Sequence, residues 1–177
     1  QVIYLSVKEC MSRRTGMAVR YQIGNVTAAL EVIRMLRQEG YEISEGAVKR
    51  GLERTQWPGR FSCIGESPVF ILDGAHNEDA ALKLRESVEA YFPGRRLIGI
   101  MGVFKDKEYE KIAQTMGPLM SVIYAVDLPD KKRGLPSERL AEALEKYCSC
   151  VRRPDVSERK RAVDCAVRAA LLEAGKE

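Results

Sequence analysis

The stretch that decides the fold is VFILDGAHNEDAALKL, residues 69–84, in which four apolar residues precede a polar turn and an amphipathic segment. A continuous apolar run of this kind indicates a strand that is covered on both faces. Gly74 permits the turn after it, and Asn77 is a typical N-cap for a helix whose first turn carries Glu78 and Asp79. The stretch therefore predicts a buried strand followed at once by a helix.

The same alternation of strand and helix continues to the end of the chain. Stripes with helical spacing separate the apolar runs, which are Val69–Leu72, Leu97–Met101, Val122–Val126 and Cys148–Val151. Strands separated by single helices are parallel, with right-handed crossovers, so their carboxyl ends share one edge. We therefore predict a doubly wound α/β fold with Asp73, Lys105 and Asp127 at one edge of the sheet. Phe61–Ile64 is predicted to add an antiparallel edge strand.

The region before residue 57 follows a different pattern. Gln1–Lys8 alternates like a strand, and Met17–Tyr21 is predicted to return beside it as a hairpin. Two amphipathic helices follow, the first with Asn25 at its N-cap position and the second capped by Ser44. This region is interpreted as a fragment of another domain.

The composition excludes several classes of protein. With 45% hydrophobic and 31% charged residues, the chain is typical of a soluble globular protein. Its 29 Lys+Arg against 25 Asp+Glu, with 7% aromatics, argue against a nucleic-acid binder. No apolar run approaches the roughly 18 residues of a membrane span. The N-terminal residues also lack the basic-then-apolar layout of a signal peptide, so we expect a cytoplasmic protein. Five Cys without C-x-x-C spacing and a single His indicate reduced thiols and no zinc site. We also expect a monomer.

Polar residues at the ends of the predicted strands are the candidates for chemistry. Ligands of an open parallel sheet bind at the carboxyl ends of its strands. His76, the single His of the chain, lies there beside Asp73, and Lys105 and Lys107 follow the next strand. A purely structural interpretation stays open, in which Asn77 caps the helix, His76 fills space and the lysines are a solvated helix start.

Any phosphate that this chain binds has to be held by side chains. The sequence contains neither the P-loop G-x-x-x-x-G-K-[ST] nor a G-x-G-x-x-G after a strand. Arg60 is the best candidate, because Trp57-Pro58-Gly59 restricts the backbone before it and a guanidinium can bind two phosphate oxygens. The alternative is that Arg60 is a solvated surface cation and Trp57 belongs to the core.

The order of the motifs favours function. The motifs are Gln22-x-x-Asn25, Trp57-Pro58-Gly59-Arg60, Leu72-Asp73-Gly74-Ala75-His76-Asn77, Gly102-x-x-Lys105-Asp106-Lys107 and Arg133-x-x-Pro136. In this order they closely resemble the folylpolyglutamate synthase/dihydrofolate synthase family of the Mur ligase superfamily, from about Met17 to the C-terminus. The resemblance implies that residues 1–56 are the tail of a central ATP-binding domain. Residues 57–177 would be the Mur ligase C-terminal (glutamate ligase) domain, a Rossmann-like, mostly parallel sheet with helices on both faces.

The same resemblance implies roles for individual residues. Asn25 would contact the adenine, Arg60 the phosphates, and Asp73 and His76 the nucleotide. His76 would also lie near the incoming glutamate, which makes His76 and Arg60 the catalytic candidates. ATP and Mg²⁺ are the implied cofactors, with the P-loop and the metal ligands in the N-terminal ATPase domain, which is the implied partner.

The implied reaction is the ATP-dependent addition of L-glutamate to a folate or to dihydropteroate through an acyl phosphate. Lys105 and Lys107 would then be cations near an acidic substrate. The chain on its own is expected to fold but neither to hydrolyse ATP nor to ligate glutamate. Two other functions stay open: a non-catalytic Rossmann-like binding module, because no complete catalytic set is visible, and a Mur-type ligase acting on cell-wall precursors.

Overall fold

The structure is a computed structural model that describes residues 20–55, 57–154 and 159–175. The predicted strand Gln1–Lys8 lies outside the described residues. The chain divides into two compact units, Gln1–Gly74 and Ala75–Glu177. The domain boundary at residue 57 stays a prediction. Among the described helices, none combines the length and the apolar character that a membrane span requires.

The described part of the first unit begins with two helices, α1 (Arg20–Gln38) and α2 (Glu45–Arg54). Gly40 ends α1 as predicted: its φ of 93° is left-handed, and the N–H of Tyr41 donates to the carbonyl of Leu36 at 3.1 Å. Ser44 caps α2, because its hydroxyl accepts the N–H of Ala47 at 3.1 Å. Both predicted helix boundaries are confirmed.

The start of α1 differs from the prediction. Asn25 lies within the second turn of the helix, exposed to solvent, and is not an N-cap. The predicted strand Met17–Tyr21 is also wrong at Arg20 and Tyr21, which are helical; its other residues lie outside the described ranges. Between Arg20 and Asn25 there is no proline, and Gly24 weakens a helix by only about 1 kcal/mol. Nothing local therefore stops the helix from beginning earlier.

A hairpin completes the first unit. Strands β1 (Ser62–Glu66) and β2 (Val69–Leu72) pair antiparallel as a sheet of two strands. The antiparallel strand predicted at Phe61–Ile64 is thus confirmed near its predicted position. The prediction that Val69–Leu72 joins the parallel sheet is wrong. With only Ser67 and Pro68 between the strands, the nearest partner in sequence takes up the hydrogen bonds of β2.

The second unit is a parallel sheet in the order β3, β4, β5, with helices between and after its strands. Its elements are α3 (Glu78–Tyr91), β3 (Ile98–Met101), α4 (Tyr109–Met116), β4 (Val122–Ala125), α5 (Ser137–Leu144), β5 (Val151–Arg152) and α6 (Arg159–Ala174). A short 3₁₀ turn, Gly117–Leu119, follows α4. The predicted strand at Cys148–Val151 begins later, at Val151, and the other predicted strands and helices lie close to their predicted positions.

Helices cover both faces of the central strand β4. Ile123 and Ala125 point into a core formed with α3, α4 and α5. Their neighbours Val122 and Tyr124 point to the opposite face. There they pack against one stripe of small residues on α6, Ala162, Ala166 and Ala170. The predicted arrangement, a mostly parallel sheet with helices on both faces, is confirmed for this unit.

Polar contacts fasten the last turn of α6 to the sheet. Tyr124 donates its hydroxyl to Glu173 at 2.9 Å, and Arg152 and Arg96 pair with the same carboxylate. The Glu173 side chain is only 13% exposed. The hydrogen bond from Tyr124 lowers the pKa of Glu173 below its ordinary value; desolvation opposes this, and the charges of Arg152 and Arg96 add to it.

We expect Glu173→Gln to lower the melting temperature at pH 7. Because the folded-state pKa of Glu173 is lowered, its ionised form stabilises the fold above the ordinary glutamate pKa. That stabilisation is lost as the pH falls through the folded-state pKa. Thermal melts followed by circular dichroism between pH 3 and pH 7 should therefore show a difference between parent and variant that shrinks on acidification.

The matched control is Asp164→Asn on the same helix, where the pair with Arg168 is solvent-exposed on both sides. It should change the free energy of unfolding by no more than about 0.5 kcal/mol. If Glu173→Gln lowers the melting temperature equally at every pH, the ionised carboxylate of Glu173 is not what stabilises the fold.

Candidate functional site

The loop before β1 is fastened to the end of β2 by two hydrogen bonds. The N–H of Phe61 donates to Oδ2 of Asp73 at 2.7 Å. The N–H of Gly74 donates to the carbonyl of Gly59 at 2.7 Å. Arg60 lies between the two anchored residues, so its backbone is fixed on both sides. The structure thus brings together Arg60 and Asp73, two of the residues predicted from the motifs.

The backbone of this loop is strained. Phe61 has a φ of 47° and Gly59 a φ of 79°, both in the left-handed region. For a bulky residue such as Phe61 this conformation is unusual and costs about 1–3 kcal/mol. Burial of its ring, only 7% exposed, and the bond to Asp73 hold it there. Strain that is maintained in this way is common at ligand-binding sites, which makes the loop a candidate binding element.

Arg60 and Trp57 lie at the surface end of the loop. The guanidinium carbon of Arg60 is 6.0 Å from the centroid of the Trp57 ring, and Arg60 is half-buried. Trp57 is 57% exposed, so the alternative in which it belongs to the core is wrong. A partly covered cation beside an exposed indole is a suitable contact for an anionic, planar ligand such as a nucleotide.

His76 lies directly before α3 in the second unit and is exposed. Asn77 caps α3 as predicted, with its side chain accepting an N–H of the first turn at 2.8 Å. Glu78 in that turn pairs with Lys111 in the first turn of α4 at 2.7 Å. Because this pair joins the starts of α3 and α4, His76 lies at the same edge of the unit as Lys107.

The prediction that three strand-end residues share one edge is wrong for Asp73. Asp73 follows β2, which belongs to the hairpin of the first unit and not to the parallel sheet. Lys105 and Asp127 do follow the parallel strands β3 and β4. The carboxyl edge of the parallel sheet therefore carries His76, Lys105, Lys107 and Asp127.

The segments after β3 and β4 pair with each other. Lys105 donates its N–H to the carbonyl of Arg133 at 2.8 Å, and Leu135 donates to the carbonyl of Val103 at 2.9 Å. The Arg133 guanidinium lies 4.3 Å from the centroid of the Phe104 ring, within cation–π range. Two loops that are thirty residues apart in sequence therefore form one surface.

We call residues 103–107 and 130–135 the paired loops. A turn braces the second of them, since Oδ1 of Asp130 accepts the N–H of Lys132 at 2.9 Å and its carbonyl accepts that of Gly134 at 2.7 Å. A Cβ on Gly134 would lie 2.8 Å from the Asp130 carbonyl oxygen, which explains the glycine. The paired loops therefore have a well-defined backbone.

Basic residues dominate the electrostatics of the paired loops. Desolvation acts to raise the pKa of Asp106. Hydrogen bonds from its own N–H and from Lys107, together with the positive charges of Lys107 and Arg133, bring it below its ordinary value instead. The carboxylate is thus held ionised by the cations around it.

Asp127 organises the start of α5. Its carboxylate accepts the hydroxyl of Ser137 at 2.9 Å and the N–H of Ser137 at 3.2 Å. Ser137 is 3% exposed, and Nε of Arg153 donates to its hydroxyl at 3.3 Å. Asp127 follows a parallel strand as predicted, whereas no motif in the sequence indicates Ser137 or Arg153 as its neighbours. Only the position of Ser137 after Pro136, at a helix start, could have indicated it.

The donors of this site suit anions better than metal ions. Over residues 20–55, 57–154 and 159–175, no three His, Cys, Asp or Glu side chains come together in a way that could hold a metal. The first unit thus carries an anchored loop around Arg60, and the second unit is a parallel α/β unit whose carboxyl edge is rich in cations.

A comparison with models of protein families identifies the family to which this chain belongs. Residues 59–176 match the model described as "Mur ligase, glutamate ligase domain". The chain belongs to this family.

Known relatives are similar over this region. A dihydrofolate synthase/folylpolyglutamate synthase of Escherichia coli (strain K12) is 36% identical over 119 residues, 66% of this chain and 27% of that protein. Mycobacterium tuberculosis folylpolyglutamate synthase complexed with ADP superposes with a TM-score of 0.71 at 27% identity, covering 85% of this chain and 33% of that chain. The bifunctional folylpolyglutamate synthase/dihydrofolate synthase of Yersinia pestis, complexed with AMPPNP and Mn ion, superposes with a TM-score of 0.66 at 27% identity. This match covers 80% of this chain and 32% of that chain. The chain thus spans about a quarter to a third of these proteins.

We expect Asp73→Ala to release the Arg60 loop and Asp73→Asn to retain it. An asparagine oxygen can still accept the N–H of Phe61, whereas alanine leaves that donor unpaired, at a cost of about 1–3 kcal/mol. Urea unfolding measures the loss, and amide hydrogen exchange at Phe61 should accelerate in Asp73→Ala alone. Equal stability of all three proteins would show that the bond does not hold the loop.

Proposed function

We propose that this chain is the C-terminal part of an ATP-dependent amide ligase that adds L-glutamate to a folate. The family match and the names of the relatives support this proposal. The observation that carries it is the anchored loop, in which Asp73 and Gly74 fix the backbone on both sides of Arg60. Residues without a P-loop among them have to bind a phosphate through side chains. An arginine whose backbone is fixed can do this during phosphate transfer.

The proposed chemistry has two steps. A carboxylate oxygen of the folate attacks the γ-phosphorus of ATP, the bond to the β-phosphate oxygen breaks, and an acyl phosphate and ADP form. The amine of glutamate then attacks the acyl carbon, phosphate leaves with the electron pair of the broken C–O bond, and the nitrogen loses a proton. The net products are an amide, ADP, phosphate and a proton.

Arg60 is proposed to bind the phosphate oxygens as charge moves onto the acyl oxygen. His76, exposed directly before α3, is proposed to contact the nucleotide and the incoming glutamate. Asn25, exposed on α1, is proposed to contact the adenine. Asp73 acts on the nucleotide through the loop that it anchors.

Lys105 and Lys107 are proposed to attract the acidic substrate. ATP requires Mg²⁺, which supplies charge neutralisation on the phosphates when it is bound. We assign no ligand of that ion to the described residues, because no three suitable side chains come together among them. The P-loop and the metal ligands are proposed to belong to an N-terminal ATPase domain, so we expect this chain alone to be inactive.

Two alternatives to this function differ in how well they agree with the observations. Ligation of glutamate to dihydropteroate would use the same steps on a shorter acid, and the double name of the Escherichia coli relative favours it. A binding module without catalysis would keep the cationic edge but would not need a strained, anchored Arg60 loop.

We expect Arg60→Gln, in the enzyme that contains this chain, to lower kcat for glutamate ligation by about 100-fold or more. His76→Ala should also lower ligation strongly. Both changes remove surface side chains, so the free energy of unfolding should move by no more than about 0.5 kcal/mol. Ligation is measured by the ADP released with tetrahydrofolate and glutamate as substrates.

Arg54→Gln is the matched control, because Arg54 is an exposed arginine at the end of α2 in the same unit. It should ligate at the parental rate. If Arg60→Gln also ligates at the parental rate, Arg60 is a surface cation and the proposed phosphate contact is wrong.

A further inference from the structure

The paired loops carry a local excess of positive charge. They contain five cations and two carboxylates in eleven residues, a net charge of +3. The cations are Lys105, Lys107, Lys131, Lys132 and Arg133.

Three lysines of the paired loops have no carboxylate partner. In the described part of the chain, four other lysines lie within 4.0 Å of an acidic side chain: Lys49, Lys83, Lys107 and Lys111. Lys105, Lys131 and Lys132 form no such pair. All three are exposed, so their ammonium groups are available to an external anion. Lys146 is also exposed and forms no ion pair with a described side chain, but it lies elsewhere, between α5 and β5.

The backbone of the paired loops holds these lysines in a fixed arrangement. Lys105 is joined through its own N–H to Arg133, directly after Lys132. Asp130 fixes the turn that carries Lys131 and Lys132. The lysines therefore stand together at the carboxyl edge of β3 and β4, where ligands of parallel sheets bind.

We propose that the paired loops bind a chain of several carboxylates, the γ-linked oligoglutamyl tail of a lengthened substrate. This inference rests on the proposed function, because glutamate ligation to a folate that already carries glutamates creates such a tail. Each added residue brings one further carboxylate. A substrate with one glutamate would contact the paired loops weakly, and a longer tail would meet more of the three lysines.

The donors in the paired loops favour carboxylates over phosphates. Phosphate sites commonly use backbone N–H groups. Here the N–H groups of Lys132, Arg133 and Gly134 all donate to Asp130, and that of Lys105 donates to Arg133. The Arg133 guanidinium lies over the Phe104 ring. The three exposed lysines offer separate ammonium groups, which act as point charges and suit carboxylates spaced along a flexible chain.

Nucleic acid fits the paired loops less well. Single-stranded nucleic acid needs aromatic rings on which bases can stack. The aromatic residue of the paired loops, Phe104, is half-buried, and the guanidinium of Arg133 lies over its ring. The paired loops therefore offer charge without a stacking surface.

The test is fluorescence anisotropy of fluorescein-labelled γ-linked pentaglutamate titrated with the purified 177-residue chain. We expect binding that weakens with added NaCl and that is at least about tenfold tighter than binding of labelled monoglutamate. The double variant Lys131→Gln/Lys132→Gln should weaken pentaglutamate binding about fivefold or more, and Lys105→Gln should also weaken it.

Lys146→Gln is the matched control, because Lys146 is an exposed lysine between α5 and β5, at the opposite edge of the sheet. It should bind like the parent. Absence of binding to the parent, equal binding by the double variant, or an equal loss in Lys146→Gln would overturn the proposal. The proposal would also be overturned if millimolar ATP displaced all pentaglutamate from the parent but none from the double variant. The lysines would then bind phosphate.

This experiment does not require ligation. An enzyme that fails to ligate but binds pentaglutamate through these lysines would refute the proposed function alone. An active enzyme whose double variant binds pentaglutamate and monoglutamate like the parent would refute the inference alone.

Discussion

Burial of β4 on both faces is the constraint on which the second unit depends. Its four residues, Val122–Ala125, are all buried, and successive side chains point to opposite layers of helices. Such a strand requires helices on both sides, and the right-handed crossovers that supply them bring every strand end to one edge. The position of Lys105 at the same edge as the loop after β4 is thus a consequence of the topology, and Val103 and Leu135 tie the two loops to the core.

In the first unit, one carboxylate has a comparable role. Asp73 follows β2 and accepts the N–H of Phe61, so the hairpin brings the first residues of the D-G-A-H-N motif onto the W-P-G-R motif. Two motifs that look separate in sequence are therefore parts of one structural device that positions Arg60. Asp73 thereby fixes the backbone from which the Arg60 side chain extends.

Local signals predicted most of the elements, and long-range pairing explains most of the misses. Apolar runs and helical stripes located the strands and helices of the second unit, and Asn77 was a correct cap. Periodicity does not say which strand pairs with which, so β2 was assigned to the wrong sheet. The start of α1 at Arg20 was missed because no local signal marks it. The contact between the two paired loops depends on long-range hydrogen bonds, such as that from Lys105 to Arg133, which no local sequence pattern indicates.

The central claim is that this chain belongs to a ligase that activates a carboxylate with ATP. Transfer of oxygen from substrate to phosphate tests it most directly. The enzyme containing this chain is given tetrahydrofolate with ¹⁸O in its γ-carboxylate, together with ATP and glutamate, and the released phosphate is analysed by mass spectrometry. The account predicts one ¹⁸O atom in each phosphate formed, because the acyl phosphate breaks at its C–O bond. Phosphate without ¹⁸O, formed at the rate of ligation, would contradict it.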